Sequence, residues 1–319
     1  MIQSYTPKQS LAEFLRNYDI RKFRLKYLRE GIENVNIFID ADHKKYVLRI
    51  YQNRSENDIK AEVETISYLY KIGIPTPTIY QNNRGSYYGK TRGKYAALFS
   101  FTAGEHPPKG LINGNLAREI GVKLANMQVA LMKFKTIHER SFPYADDFTE
   151  FKQKYSLIDD YILDKKKVIV SELEDIIISA LRKAIIHGDI TRENLLVTKQ
   201  RLTSFLDFDD CHKDYIVWDT SIAITQLFIT KTSGIDWNGL RKFLEGYTEI
   251  MHLNEPEKEA VIPFLKLRNI KIAMQVNYMM NSSKRRNTRL KSIELSTLFK
   301  IDLIERYKKE IQDLIREAL

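Results

Sequence analysis

The segment from Ile185 to Asp210, IIHGDITRENLLVTKQRLTSFLDFDD, constrains the fold of this chain more than any other. Its short apolar runs are separated by polar residues, which predicts extended pieces joined by tight turns. An acid, Asp189, lies in the first loop; an amide, Asn194, follows five residues later; a second acid, Asp207, ends the last run thirteen residues further on. We therefore expect these three side chains to converge on one point.

These residue types at this spacing suit metal-assisted phosphoryl transfer. In a loose transition state the first acid mainly aims the acceptor hydroxyl and receives its proton, so Asp189 needs no strongly shifted pKa. Mg²⁺ takes oxygen ligands and keeps several waters, so Asn194, Asp207 and ATP phosphates can complete its shell. Arg192, in the same loop, is expected to contact either the transferred phosphate or the metal-bound carboxylates. The sequence thus predicts ATP and Mg²⁺ as cofactors, with Asp189 and Arg192 as catalytic residues.

The motifs HGDITRENLL and FLDFDD resemble the catalytic and metal-binding segments of the aminoglycoside phosphotransferase/choline kinase-like superfamily, small-molecule kinases with a protein-kinase-like fold. The resemblance implies an α+β, bilobal fold. Its small N-terminal lobe has an antiparallel sheet and a helix, and its larger C-terminal lobe is mostly helical. We expect residues 1–101 to form the nucleotide-binding lobe and residues 102–319 to form the catalytic and acceptor-binding lobe.

The upstream sequence fits such a nucleotide-binding lobe. Residues 36–50 read as a strand, a polar turn and a strand, and a helical pattern follows. In the family, a lysine on the second strand clamps the α and β phosphates and pairs with a helix glutamate; here Arg49 holds that place. Counting back from Pro75, Glu62 is the acid expected to face it, and this pair can be bidentate. The alternative is that Arg49 only pairs on the sheet surface.

Two further segments are candidates for nucleotide contacts. Residues 28–36 lie where the family has its phosphate-binding loop, although they contain one glycine only. Asn34 is a candidate contact there, or it is a turn residue that tolerates positive φ. The apolar run at 95–101 resembles the strand before the family's hinge, so the adenine is expected to hydrogen-bond to the backbone near Ser100, Phe101 and Thr102.

The acceptor is expected to be a small hydroxylated molecule. Only ten residues separate Asp207 from Trp218, too few for a peptide-binding activation segment. The N-terminal order YTPKQSLAEFLRNYDI, GIENVNIFI and YVLRIYQ resembles the homoserine kinases of the superfamily. Homoserine or a similar amino acid would need a cation, for which Arg268 and Lys271 are candidates, and an anion, for which Asp210 is a candidate. Asp210 could instead contact a second metal.

Two other functions stay open. One is an aminoglycoside kinase or a choline or amino-alcohol kinase. The other is a catalytically silent, kinase-like binding protein, which would suit Arg49 in place of lysine and a glycine-poor loop. The presence of Asp189, Asn194 and Asp207 together argues against the silent protein, because a binding protein needs neither the base nor the metal ligands.

Composition excludes several classes of protein. The lone Cys211 among 319 residues excludes a disulfide framework within the chain and suits a cytoplasmic protein. The N-terminus does not read as a signal peptide, and charges interrupt each apolar run before membrane-spanning length. The net charge of +10 invites a nucleic-acid partner, but the basic stretch 284–291 lacks aromatic interleaving and any nucleic-acid motif. We expect neither nucleic acid nor membrane as partner, and a homodimer stays open.

Helical patterns give the remaining elements. A capping box at Ser10 is expected to open a short helix, and Asn57 or Asp58 to cap the next. Asp219 is expected to cap a later helix and to brace the catalytic loop from behind. The periodicity predicts further helices over 116–134, 217–230, 237–251 with Asp236 as cap, 256–281 and 288–317.

Overall fold

The computed structural model describes residues 7–28, 34–108, 110–136, 138, 155–174, 176, 178–283 and 287–318. Two segments singled out in the sequence lie partly outside these residues. They are the centre of the expected phosphate-binding loop, 29–33, and the first three residues of the basic stretch, 284–286.

The N-terminal part of the chain is a five-stranded antiparallel sheet with two helices, here called the sheet lobe. Its elements are α1 (Lys8–Arg16), β1 (Arg24–Tyr27), β2 (Asn34–Ala41), β3 (Lys44–Tyr51), α2 (Glu56–Lys71), β4 (Tyr88–Thr91) and β5 (Lys94–Ser100). The strands lie in the order β1-β2-β3-β5-β4, so β3 is central and pairs with β2 and β5.

The alternation of side chains along β3 decides which way its arginine points. Tyr46, Leu48 and Ile50 are buried in a core that includes the apolar face of α1. Since successive side chains of a strand point to opposite faces, Arg49 projects to the other side of the sheet. That side faces α2, where Glu62 lies in the middle of the helix.

The start of α1 differs from the prediction. The Leu11 N–H donates to the carbonyl oxygen of Pro7 at 3.2 Å, so the helical ladder begins at Pro7 and the helix at Lys8. Ser10 therefore lies inside the helix, and the predicted capping box at this residue is wrong. The apolar side chains on the inner face of α1, which include Leu11, are buried.

The cap of α2 also differs from the prediction. Ser55 is the N-cap, and Asn57 and Asp58 lie within the helix. The Ser55 Oγ accepts from the Asp58 N–H at 3.2 Å, and the Asp58 carboxylate accepts from the Ser55 N–H at 2.9 Å. These two bonds form a capping box. Its N-cap, Ser55, precedes the residues Asn57 and Asp58 that the apolar periodicity indicates.

After Ser100 the described chain is mainly helical, and this part is called the helical lobe. Its helices are α3 (Gly114–Lys133), α4 (Asp160–Glu174), α5 (Ile216–Leu227), α6 (Trp237–Thr248), α7 (Glu255–Ser283), α8 (Thr288–Arg306) and α9 (Lys308–Ala318). Its strands form three two-stranded sheets: β6 (Lys183–Ile186) with β9 (His212–Tyr215), β7 (Leu195–Thr198) with β8 (Arg201–Phe205), and β10 (Ile229–Thr230) with β11 (Gly234–Ile235).

Most helices of this lobe match the prediction. The Asp236 side chain caps α6 as expected and accepts from the Gly239 N–H at 2.9 Å. The long helix predicted over 288–317 is instead two helices, because the chain leaves helical geometry at Tyr307, with φ −108° and ψ 24°. The expected α+β fold with a sheet lobe and a larger helical lobe is confirmed.

None of the helices in the described ranges is both long enough and apolar enough to cross a lipid bilayer.

Helices α3 and α6 cross at two glycines. A Cβ at Gly121 would lie 2.1 Å from the carbonyl oxygen of Phe243, and one at Gly246 would lie 2.1 Å from that of Arg118. Backbone atoms cannot yield as a flexible side chain can. Glycine therefore permits this close approach of the two helices.

Gly121→Ala should lower the free energy of unfolding by about 1–3 kcal/mol, because the added methyl forces α3 and α6 apart. Denaturant titration measures this change. The matched control is Gly114→Ala, where the new Cβ would meet only side-chain atoms of Lys242 and Asn238, at 3.3 and 3.4 Å. Equal unfolding curves for Gly121→Ala and the wild type would show that α3 and α6 can move apart without loss of folding free energy.

Candidate active site

A buried acid holds the loop that carries Asp189. Asp219, in the first turn of α5, accepts hydrogen bonds from the backbone N–H groups of His187 and Gly188, both at 3.0 Å. Burial raises the pKa of Asp219, whereas the neighbouring His187 and the two hydrogen bonds lower it. Asp219 braces the catalytic loop as predicted. The expectation that it caps α5 is wrong, because Tyr215 occupies the N-cap position.

The same loop is joined to the segment that follows β8. The His187 Nε2 lies 2.9 Å from the carbonyl oxygen of Leu206, and its Nδ1 accepts from the Asp189 N–H at 3.3 Å. Gly188 has φ +82°, and a Cβ there would lie 2.5 Å from the carbonyl oxygen of Asp210. The catalytic loop and the LDFDD segment therefore form one unit that requires glycine at this point.

Asn194 orients the carboxylate of Asp189. Its amide nitrogen donates to the Asp189 carbonyl oxygen at 2.9 Å and to Oδ2 at 2.8 Å. The other carboxylate oxygen, Oδ1, accepts from Arg268 of α7. Burial raises the pKa of Asp189, the charge of Arg268 lowers it and that of Asp210 raises it. With its nitrogen bound to Asp189, Asn194 has its amide oxygen as the end that can bind a cation.

Asp207 follows β8 in the left-handed backbone conformation, with φ +63° and ψ +70°. Aspartate tolerates this conformation better than most residues. Its Oδ1 is buried and accepts no hydrogen bond from the described residues, although Arg49 Nη1 lies at ion-pair distance, 3.1 Å. The carboxylate thus has acceptor capacity left for a cation.

Arg49 joins the sheet lobe to these carboxylates. Its Nη1 lies 2.9 Å from Glu62 Oε1, and its Nε donates to Asn36 Oδ1 at 3.2 Å. The same Nη1 contacts Asp207 and hydrogen-bonds to Asp209. The predicted pair with Glu62 is confirmed, and pairing on the sheet surface alone is excluded. Burial by itself would lower the pKa of Arg49, but the three acids together raise it well above its usual value.

The contacts of Asp209 and Arg54 were not predicted. Asp209 also accepts from the amide of Asn34, and burial raises the pKa of Asp209 well above its usual range while Arg49 opposes the rise. Arg54, just after β3, lies 3.1 Å from Asp210. The extra aspartates of LDFDD signalled the acids of both contacts but not the partners, which lie 156 to 175 residues away in the chain.

Arg192 does not face the carboxylates. Its guanidinium donates to the carbonyl oxygens of Pro108, Gly110 and Leu227, with 2.6 Å to Gly110. Burial lowers the pKa of Arg192. The expectation that it contacts the transferred phosphate or the metal-bound carboxylates is therefore wrong. The three carbonyls lie at the end of α5 and in the segment 102–113, which joins the two lobes and is here called the crossing segment. They have no helical N–H partner among the described residues, and Arg192 donates the hydrogen bonds that they accept.

Two backbone N–H groups of the expected hinge are hydrogen-bonded within the protein. The Ser100 N–H donates to the carbonyl oxygen of Thr78 at 2.8 Å, and the Phe101 N–H donates to that of Lys45 at 3.1 Å. These two donors are therefore committed to neighbouring segments. A ligand that seeks backbone N–H groups at the hinge must use Thr102 or the residues after it.

The donor set suits one hard cation held against phosphates. In the described part of the chain, no three His, Cys, Asp or Glu side chains are grouped so that they could hold a metal ion by themselves. Mg²⁺ needs fewer protein ligands when phosphates and waters complete its octahedral shell. The partly unsatisfied carboxylate of Asp207 and the amide oxygen of Asn194 are oxygen donors of the required kind.

A cavity of about 810 Å³ lies apart from these carboxylates. It is lined by the crossing segment at 103–108, by the start of α3 and by the β7–β8 turn, and none of the acids described above lines it. At the acids, ion pairs from Arg49 and Arg54 of the sheet lobe reach across to the LDFDD segment. Ion pairs thus join the two lobes at the carboxylate cluster, where the side chains of Asp207 and Asp210 stay partly exposed.

Asp219→Asn should loosen the catalytic loop. The amide keeps one acceptor oxygen but turns its NH₂ toward the N–H of His187 or Gly188, which leaves a buried donor unpaired at a cost of about 1–3 kcal/mol. Denaturant unfolding measures the loss. Asp313→Asn, at an exposed acid of α9, is the control. An unfolding free energy equal to that of the wild type would show that Asp219 does not brace the loop.

Comparison with known proteins gives a consistent family. The phosphotransferase enzyme family, APH, matches residues 24–252. The homoserine kinase of Methylobacillus flagellatus is 25% identical over 256 residues, which cover 79% of each chain. That of Methylobacillus glycogenes is 26% identical over 271 residues, covering 82% of each. That of Bartonella henselae is 27% identical over 258 residues, covering 79% of this chain and 80% of the relative.

Solved structures share the fold at lower identity. An amicoumacin kinase in complex with AMP-PNP and Ca²⁺ has a TM-score of 0.75 and 18% identity, covering 97% of this chain and 94% of that one. A microcompartment-associated aminopropanol kinase has a TM-score of 0.73 and 16% identity, covering 96% and 99%. Since the family match runs from the sheet lobe through the catalytic loop to the end of α6, the protein belongs to the phosphotransferase enzyme family and is an ATP-using kinase of small molecules.

Proposed function

We propose that the protein is an ATP- and Mg²⁺-dependent kinase that transfers the γ-phosphate to the hydroxyl of a small amino acid, with homoserine as the first candidate. The observation that carries the proposal is the meeting of Asp189, Asn194, Asp207 and Arg49 where the lobes face each other. We infer that the lobes divide near Phe101, with the nucleotide between them.

Asp189 is the proposed base. The acceptor oxygen bonds to the γ phosphorus, the bond from that phosphorus to the bridging oxygen breaks with its electron pair left on ADP, and the hydroxyl proton passes to the Asp189 carboxylate. Asn194 keeps the carboxylate aimed by its bond to Oδ2. Burial raises the pKa of Asp189, which makes the carboxylate a better proton acceptor.

Asp207 and the amide oxygen of Asn194 are the proposed metal ligands. Bound Mg²⁺ supplies positive charge beside the β and γ phosphates. The chain's own part is to present the two oxygens on a fixed frame. His187 and Gly188 supply that frame, because they tie the catalytic loop to the segment after β8.

Arg49 is proposed to hold the α and β phosphates. Glu62 and Asn36 fix its guanidinium from the side of the sheet lobe, and the Nη1 that contacts Glu62 also contacts Asp207. Asn34 reaches the same region through Asp209 and is a proposed nucleotide contact. The adenine edge is proposed to meet the backbone from Thr102 onward.

Several observations support an amino acid as acceptor. The curated relatives that cover about four fifths of the chain are named homoserine kinases. Near the proposed base lie a cation, Arg268, and an acid, Asp210, the two charges that complement a carboxylate and an ammonium. A panel of homoserine, choline, amino alcohols and aminoglycosides tests this choice. Faster turnover of a polycationic acceptor than of homoserine would overturn it.

Asp189→Ala should reduce kcat by about 10²–10⁴-fold, because the acceptor proton loses its base. Binding of ATP, measured by calorimetry, should stay nearly unchanged. Asp207→Ala should instead weaken binding of ATP in the presence of Mg²⁺, with a smaller effect in its absence. Asp313→Ala is the control for both. Intact turnover in Asp189→Ala would mean that another group takes the proton.

Arg49→Lys tests whether the arginine is an active clamp. Lysine keeps a cation for Glu62 and Asp209 but lacks the Nε that binds Asn36 and the planar fork that Nε orients, so KM for ATP should rise about tenfold. Steady-state kinetics with homoserine measure it. If the wild type bound ATP but turned over no acceptor, and lysine restored turnover, the protein would be a silent binding protein instead.

A further inference from the structure

The side chain of Arg268 is only partly satisfied within the protein. It extends from α7 to Asp189 Oδ1 through Nη2, and 17% of it is exposed. Its Nε is buried and has no hydrogen-bond partner among the described residues. An unpaired buried donor on an ionised group is costly, so such a donor indicates a partner that arrives from outside.

The surroundings of Arg268 are rich in positive charge. Lys271, one turn along α7, is buried with its Nζ 5.5 Å from the centre of the Trp218 ring. Lys300 of α8 donates to the carbonyl oxygen of Thr225 at 2.9 Å. Burial, together with the charges of Arg268 and Arg192, lowers the pKa of Lys300 to about 8. An anionic group on the acceptor would be attracted to this region, and a further cation would be repelled.

We propose that Arg268 is the residue that selects acceptors bearing a carboxylate, and that it is shared between this carboxylate and Asp189. The inference rests on the proposed kinase function and adds to it the group that distinguishes an amino acid from the corresponding amino alcohol. A guanidinium fits a carboxylate through two parallel N–H donors. The Nε of Arg268 has no hydrogen-bond partner among the described residues, and Nη2 becomes the second donor when it leaves Asp189.

Because Arg268 is shared, binding of the acceptor carboxylate changes the hydrogen bonding of the proposed base, Asp189. With no acceptor bound, both oxygens of Asp189 are occupied, one by Asn194 and the other by Arg268. An acceptor carboxylate that takes up the guanidinium releases Oδ1, which can then receive the hydroxyl proton. Without a carboxylate the base stays paired, so neither an amino alcohol nor water is activated efficiently. The pairing thus limits wasteful transfer of phosphate from ATP to water.

The test compares homoserine with 3-amino-1-propanol, which is the same molecule without the carboxylate. The wild type should prefer homoserine by at least about 100-fold in kcat/KM, as one charge-assisted bidentate contact allows. In Arg268→Gln the value for homoserine should fall about 100-fold, while that for 3-amino-1-propanol should rise severalfold, because Asp189 is no longer paired with Arg268. Release of ADP without any acceptor should rise severalfold, a change that a merely structural role would not produce.

Two variants serve as controls. Arg268→Lys keeps the charge without the planar fork, should show an intermediate preference, and carries the test if Arg268→Gln does not fold. Arg306→Gln makes the same substitution at an exposed residue of α8 and should leave both acceptors unaffected. An unchanged ratio in Arg268→Gln, or a wild type that uses both acceptors equally, would overturn the inference and leave the kinase intact. A wild type that phosphorylates neither, but does phosphorylate another hydroxylated amine, would overturn the amino-acid acceptor itself.

Discussion

The gathering of three carboxylates around one guanidinium is the interaction on which the site depends. Glu62, Asp207 and Asp209 all lie at ion-pair distance from Arg49. Acids this close repel one another, and burial raises the pKa of Glu62 and Asp209 while Arg49 lowers it, so these two would bind protons more readily if the cation were removed. The arginine lies on β3, the glutamate on α2 and the aspartates on the segment after β8. The side chain of Arg49 therefore connects three elements of the fold.

The catalytic loop could be predicted from the sequence because its determinants are local. Asp189, Asn194 and Asp207 lie within one short stretch, and the alternation of apolar runs and turns leaves few ways to arrange them. The pair of Arg49 and Glu62 was predicted from the resemblance, because the family has a strand lysine that pairs with a helix glutamate. The structure agrees with strand alternation, which puts Arg49 on the face of the sheet that faces α2.

The remaining contacts depend on how distant segments pack. Nothing in the local sequence tells whether the fork of Arg192 meets carboxylates or backbone carbonyls, since both accept equally well. The same holds for Arg54 and Asp210, which approach only when the lobes come together. The start of α2 was predicted too late in the chain. The Ser55 side chain bonds to an N–H group of the first turn before the apolar pattern of the helix begins.

The hydrogen bonds of Arg192 to Pro108 and Gly110 attach the crossing segment to the catalytic loop of the helical lobe. Glu105 adds a two-bond bridge to Val197, at 2.9 and 2.8 Å. These bonds attach the chain from Glu105 onward to the helical lobe, and the Phe101 N–H bonded to Lys45 attaches the chain up to Phe101 to the sheet. Three residues, 102–104, join the two parts. If the parts move relative to each other, bending is expected at these residues, and a few degrees there would displace the far strands by much more than the joint itself moves.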